Sequence, residues 1–164
     1  MARCVIAGVA VTYLLAVFQA TVGARLAVGG VSPDLLFVWS VCLGLLSGPR
    51  IGALAGFGSG FFEGALQQAM IGALAVSKAV SGCAAGLLAG RMFRENWLVP
   101  ALSAGLLTLV NEVLVLLLSA SGHGGNLART ILGRAVYHAL LAPPALAVIV
   151  RARQAMTGQR AEVS

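Results

Sequence analysis

The sequence is poor in charge. Only 10% of its 164 residues are Asp, Glu, Lys or Arg, where a soluble domain carries about 25%. A small soluble domain needs a polar surface whatever it buries, so a water-solvated globule is excluded. With 59% hydrophobic residues and a mean hydropathy of +0.95, the chain reads as solvated by lipid. Cysteine is also scarce: Cys4, Cys42 and Cys83 are odd in number, form no CxxC and lie in or beside apolar stretches. That pattern excludes a disulfide or zinc framework and leaves them as small buried hydrophobes. Catalytic patterns are missing too. There is no Ser/His/Asp set, no HExxH, no acid pair at metal-ligand spacing and no phosphate-binding glycine loop followed by lysine. Ser59, inside Gly58-Ser59-Gly60, lacks the helix-embedded histidine that a rhomboid-like nucleophile requires. His123 in a glycine loop and His138 alone on a helix are poor candidates for metal ligands. The expectation is a protein that is not an enzyme and carries no cofactor.

What charge there is has one dominant sign. The formal net charge is +6, which in a soluble domain would point to nucleic acid. Here the arginines stand singly or in pairs at the ends of apolar runs, which is how membrane topology is set. No nucleic-acid partner is expected.

The apolar runs divide into six. A bilayer core about 30 Å thick needs roughly 17–25 apolar residues in a helix. The first run, about 4–22, could pass for a signal peptide, with Arg3 before it and small residues at Gly23-Ala24 behind it. Every later segment is equally membrane-like, so a first membrane helix is the simpler reading. The second, 33–48, opens on Ser32-Pro33-Asp34: serine as N-cap, proline in the first turn and an acid at the positive end of the helix dipole. It is short and stops at Ser47-Gly48-Pro49-Arg50. From Ile51 to Gly90 no loop is obvious. One helix of that length would reach about 60 Å, so the chain must fold back, with the turn at Gln67-Gln68 to Gly72. This gives helices at 50–67 and 72–90. A fifth follows at 97–119, with Trp97 as an interfacial anchor, then the loop Ser121 to Asn126. The sixth, 129–150, is expected to kink or break at Pro143-Pro144. Residues 1–150 thus form one transmembrane domain, and 151–164 a short basic cytoplasmic tail.

Six spans put both ends on one side. The cytoplasmic side then holds Arg3, Arg50, Arg91, Arg94, Arg151, Arg153 and Arg160, against Arg25 and Arg129 outside. That asymmetry predicts an all-α, six-helix bundle with both termini in the cytoplasm.

Two features stand out inside the runs. Glycines recur every fourth residue at Gly44, Gly48, Gly52, Gly56, Gly60 and Gly64, and again at Gly82, Gly86 and Gly90. Small residues at this spacing let a second helix approach closely, and in lipid such packing replaces the hydrophobic effect. The ladders either face each other within the chain or face a partner protein. The second feature is charge at similar depth: Glu63, Lys78, Glu112 and Arg134, with His138 one turn deeper than Arg134. Unpaired, each would cost several kcal/mol in lipid, so a buried ionic layer joining helices three to six is expected. It reads as a structural network, or as a pocket or proton path open to the outside.

From Ser32 to Arg94 the chain resembles the rod shape-determining MreD family. The likeness lies in Pro33-Asp34 opening the second helix and the apolar run to Gly48-Pro49-Arg50. It continues through Gly56-Phe57, Gly60, the turn ending at Gly72, and Ala89-Gly90-Arg91. The family places an aspartate four residues after the glycine matching Gly60. Here Gly64 stands there and the acid is Glu63, about 100° around the helix. The resemblance implies a non-catalytic subunit of the bacterial cell-elongation machinery in the cytoplasmic (inner) membrane. It would bind an MreC-like single-span protein and through it MreB, the RodA glycosyltransferase and the elongation-specific penicillin-binding protein. The family is itself similar to the substrate-binding subunits of energy-coupling-factor vitamin transporters, which makes such a subunit the alternative. A vitamin site needs ring faces and convergent polar groups. With aromatics at 6%, the sequence favours the scaffold.

Overall fold

The computed structural model describes residues 2–22, 32–68, 70–92, 98–119 and 127–157. Arg25, Arg94, Trp97, His123, Asn126 and Arg160 lie outside them. The described residues form six α-helices and no strand: α1 (Ala2–Val22), α2 (Leu35–Ser47), α3 (Pro49–Gln67), α4 (Ile71–Met92), α5 (Leu98–Ser119) and α6 (Leu127–Thr157). Three of them, α4, α5 and α6, are long and apolar enough to cross a membrane.

α2 is the shortest helix and the centre of the bundle, in contact with the other five. Its sequence LLFVWSVCLGLLS has no polar stripe, and a helix apolar all round is one that is surrounded. Leu36, Phe37, Val38, Val41, Cys42 and Leu45 are accordingly buried. Phe37, Val38, Val41, Cys42 and Leu45 pack with Ala85 of α4, Ala104 and Leu107 of α5, and Ala142 and Ile149 of α6. At 13 residues it extends about 20 Å. A single residue, Gly48, separates it from α3. Gly48 has φ +89°, a conformation open to glycine and costly for other residues, and Pro49 then occupies the first turn of α3.

α3 and α4 run antiparallel in near backbone contact. A Cβ on Gly56 would strike the Lys78 carbonyl and Ala79, one on Gly60 would strike Leu74 and Ala75, and one on Gly52 would strike Gly82. Gly86 sits against Gly48 and Pro49. The two glycine ladders therefore face each other inside the chain, and the space that a partner helix would have filled is taken. Gly64 is buried on the same face of α3. Gly90 lies on α4, with surroundings outside the described ones.

Four expectations are corrected. The N-cap of α2 is Asp34, not Ser32, and Pro33 precedes the helix rather than occupying its first turn. The cause is that the Asp34 carboxylate accepts the Phe37 N–H, as a cap must. Gly72 is helical and not part of the turn. Gln68, within the expected turn, ends α3 in a left-handed conformation (φ 50°) with its N–H donated to the Gly64 carbonyl. Pro143 and Pro144 do not break α6, which continues through them. The helix also passes Val150 to reach Thr157, so Arg151 and Arg153 belong to it and not to an extended tail.

Candidate functional site

The site lies where α2 begins. The first four N–H groups of a helix have no partner within it, and this end is buried, so each must find one. Gln19 of α1 accepts from Leu35 (2.7 Å) and Leu36 (3.2 Å) through Oε1. The Asp34 carboxylate accepts from Phe37 (2.9 Å), and the Asp34 carbonyl from Val38 (3.2 Å). All four donors are satisfied by two side chains and one carbonyl. The Asp34 N–H itself donates to His138 Nε2 of α6 at 2.9 Å.

Asp34 also carries the charge at the centre. Its Oδ1 accepts from Gln19 Nε2 at 3.3 Å, while Oδ2 pairs with the Lys78 ammonium from α4. Lys78 is wholly buried and pairs in addition with Glu63 of α3. A lysine with no water around it is tolerated only when paired, and here it bridges two acids on two helices.

His138 extends the cluster to α5. Thr108 donates its hydroxyl hydrogen to the Ala104 carbonyl at 2.6 Å, so at 2.9 Å from His138 Nδ1 its oxygen acts as acceptor. The imidazole therefore carries its hydrogen on Nδ1 and accepts at Nε2. Its ring stacks on Phe37, centroids 5.2 Å apart. Residues from all six helices thus meet around the head of α2.

Arg134 of α6 and Glu112 of α5 form a separate pair at 2.8 Å. The four charges expected to make one layer therefore divide in two, Lys78 with Glu63 and Arg134 with Glu112, with Asp34 as the further member of the first group. Side-chain reach decides the split. Arg134 and Glu112 lie on helices that pack directly together, as do Lys78 and Glu63. The Arg134 side chain remains 36% exposed against 1% for Lys78, so only the Lys78 group is sealed. Asp34 was legible as an acid at a helix start but not as a charge partner. Gln19 and Thr108 carried no distinguishing signal, being single polar residues on apolar helices.

The arrangement pairs buried charges across helices and caps the head of α2. Ser59 is buried with no hydrogen-bond partner among the described residues. Among those residues no set of three His, Cys, Asp or Glu side chains is placed to hold a metal ion. A groove of about 400 Å³ lies between α5 and α6, lined by Pro100, Pro143, Leu146, Ala147, Val150, Arg151 and Gln154. Along α6 it begins at Pro143, five residues beyond His138 or about 7.5 Å, and ends near Gln154.

Fold and site together define a protein whose described residues are helical, with three helices long and apolar enough to cross a membrane and a buried ionic core at one end. No protein-family model, curated protein or solved structure matches the chain.

Proposed function

We propose that this protein is a non-catalytic scaffold subunit of the bacterial cell-elongation machinery. In this reading it sits in the cytoplasmic membrane as a six-span bundle with both termini in the cytoplasm. It binds an MreC-like single-span protein and connects through it to MreB, RodA and the elongation-specific penicillin-binding protein. The observation that carries the reading is the division of the surface. Asp34 and Lys78 pair within the bundle, while α5 and α6 turn Leu102, Leu106 and Leu117, and Leu132, Val136 and Leu140, outward. Such faces meet lipid or other membrane helices, where association rests on packing. The resemblance between Pro33-Asp34 and Arg91 adds the identity of the partner. The low aromatic content, 6% of the chain, weighs against a vitamin-binding subunit.

Co-purification in detergent tests this. Coexpressed with the single-span MreC-like protein of the same cell, the chain is expected to elute as a complex with it. Elution alone, with a vitamin retained through purification, refutes the scaffold and favours the transporter subunit.

A further inference from the structure

The charges around the head of α2 do not balance. Lys78 is shared by Asp34 and Glu63, and Arg134 is matched by Glu112, so three carboxylates face two cations. The side chains of Asp34 and Glu63 are 17% and 11% exposed, which leaves little water to solvate the remaining charge. An uncompensated carboxylate in such surroundings is strongly disfavoured and takes up a proton instead.

Three groups could hold that proton, and their hydrogen bonds distinguish them. His138 as imidazolium would cancel the charge, but its Nε2 accepts the Asp34 N–H (2.9 Å) and its Nδ1–H is committed to Thr108. A second ring hydrogen would set two donors against each other. Asp34 accepts at both oxygens, from Phe37 and Gln19 at Oδ1 and from Lys78 at Oδ2, so a proton there displaces a donor that also caps α2. Glu63 is different. Its Oε2 meets Lys78, whereas among the described residues its Oε1 accepts only from the exposed Gln67, at 3.3 Å. One turn back on α3, Ser59 holds a wholly buried hydroxyl with no hydrogen-bond partner among the described residues. Residues four apart share a helix face, so Ser59 Oγ is spaced to accept from a protonated Glu63.

We propose that Glu63 is a reversible proton-binding site. It takes one proton from the aqueous phase at the α3–α4 turn, where Gln67 and Gln68 are exposed. That proton becomes the O–H of its carboxyl group, and Lys78 stays paired with Asp34 in a neutral cluster. When the proton returns to the same phase, the ammonium bridges both carboxylates. The charged and titratable groups around Glu63 are Asp34 at the head of α2, Lys78 on α4 and Arg134 on α6. His138 and Glu112 stand behind these, and α1 contributes the neutral Gln19. The site belongs to the bundle itself and does not depend on the scaffold reading.

The test is pH-difference infrared spectroscopy of the protein in lipid nanodiscs, across about pH 5 to 8, the range in which perturbed groups exchange protons. The expected result is a carboxylic C=O band that disappears as pH rises, is lost in Glu63→Gln and is retained in Glu112→Gln. If Glu63→Gln does not fold, Glu63→Asp decides, because the band should persist at a displaced frequency. The proposal is overturned by the lack of any pH-dependent carboxylic band, by a band that survives Glu63→Gln, or by one that Glu63→Asp leaves unmoved. It is equally overturned if sodium ions at constant low pH abolish the band, since the site would then take a metal cation and not a proton.

Discussion

Lys78→Met removes the cation on which two buried carboxylates depend. The lysine is fully enclosed, and methionine fills a similar length of side chain without charge. Deleting one partner of a buried ion pair costs about 3–5 kcal/mol, because the other charge is left uncompensated. Asp34 would be left so, while Glu63 can take up a proton, which keeps the loss within that range. For a chain of this size each kcal/mol moves the unfolding midpoint by about 2–4 °C, giving a fall of about 6–20 °C. The readout is thermal unfolding by circular dichroism in a single detergent. A second variant separates charge from capping. In Asp34→Asn/Glu63→Gln/Lys78→Met the cluster is neutral, and Asn caps a helix about as well as Asp. Since neutral replacement of a whole buried ionic group is often neutral or stabilising, the triple variant should recover most of the loss. Unfolding of Lys78→Met at the wild-type temperature, or a triple variant less stable than the single one, would refute the reasoning.

Gly56→Ala and Gly60→Ala drive a methyl group into the α4 backbone and should each destabilise by about 1–3 kcal/mol or more. Gly58→Ala, with open space around it, should gain up to about 1 kcal/mol from helix propensity; thermal melts of the three separate packing glycines from incidental ones. Gln19→Leu strips the acceptor from Leu35 and Leu36. At about 1–3 kcal/mol per orphaned donor, it should be severe, and hydrogen exchange should show those two amides losing protection first. Glu63→Ala and Glu112→Ala have different cationic partners. Their effects should add within about 0.5 kcal/mol, while Glu63→Ala and Lys78→Met, which share a contact, should not; a double-mutant cycle on melting data measures both.

That the chain carries helices apolar enough to cross a membrane was legible from composition alone, because hydropathy is a property of the whole surface and needs no contact to be known. The helices were legible from run length and punctuation. Their ends were less so where a side chain from elsewhere decides the matter. Ser32 and Asp34 both suit an N-cap, and what selects Asp34 is that its carboxylate meets the Phe37 N–H from one side and Lys78 from the other. Pro143-Pro144 read as a kink or a break, and the helix nonetheless continues through them to Thr157.

The order of residues alone fixes which side chains are costly on apolar helices: Glu63, Lys78, Glu112 and Arg134 each need a partner whatever the fold. It also determined that helices bearing glycine every fourth residue would be closely approached by something. Only the tertiary structure decided who meets whom. The ladders face each other across α3 and α4, Arg134 goes to Glu112, and Lys78 is divided between Glu63 and an aspartate that also caps a helix. Periodicity fixes which face of a helix a residue occupies. The choice among partners depends on how the helices are arranged in space, and one-dimensional spacing does not contain that.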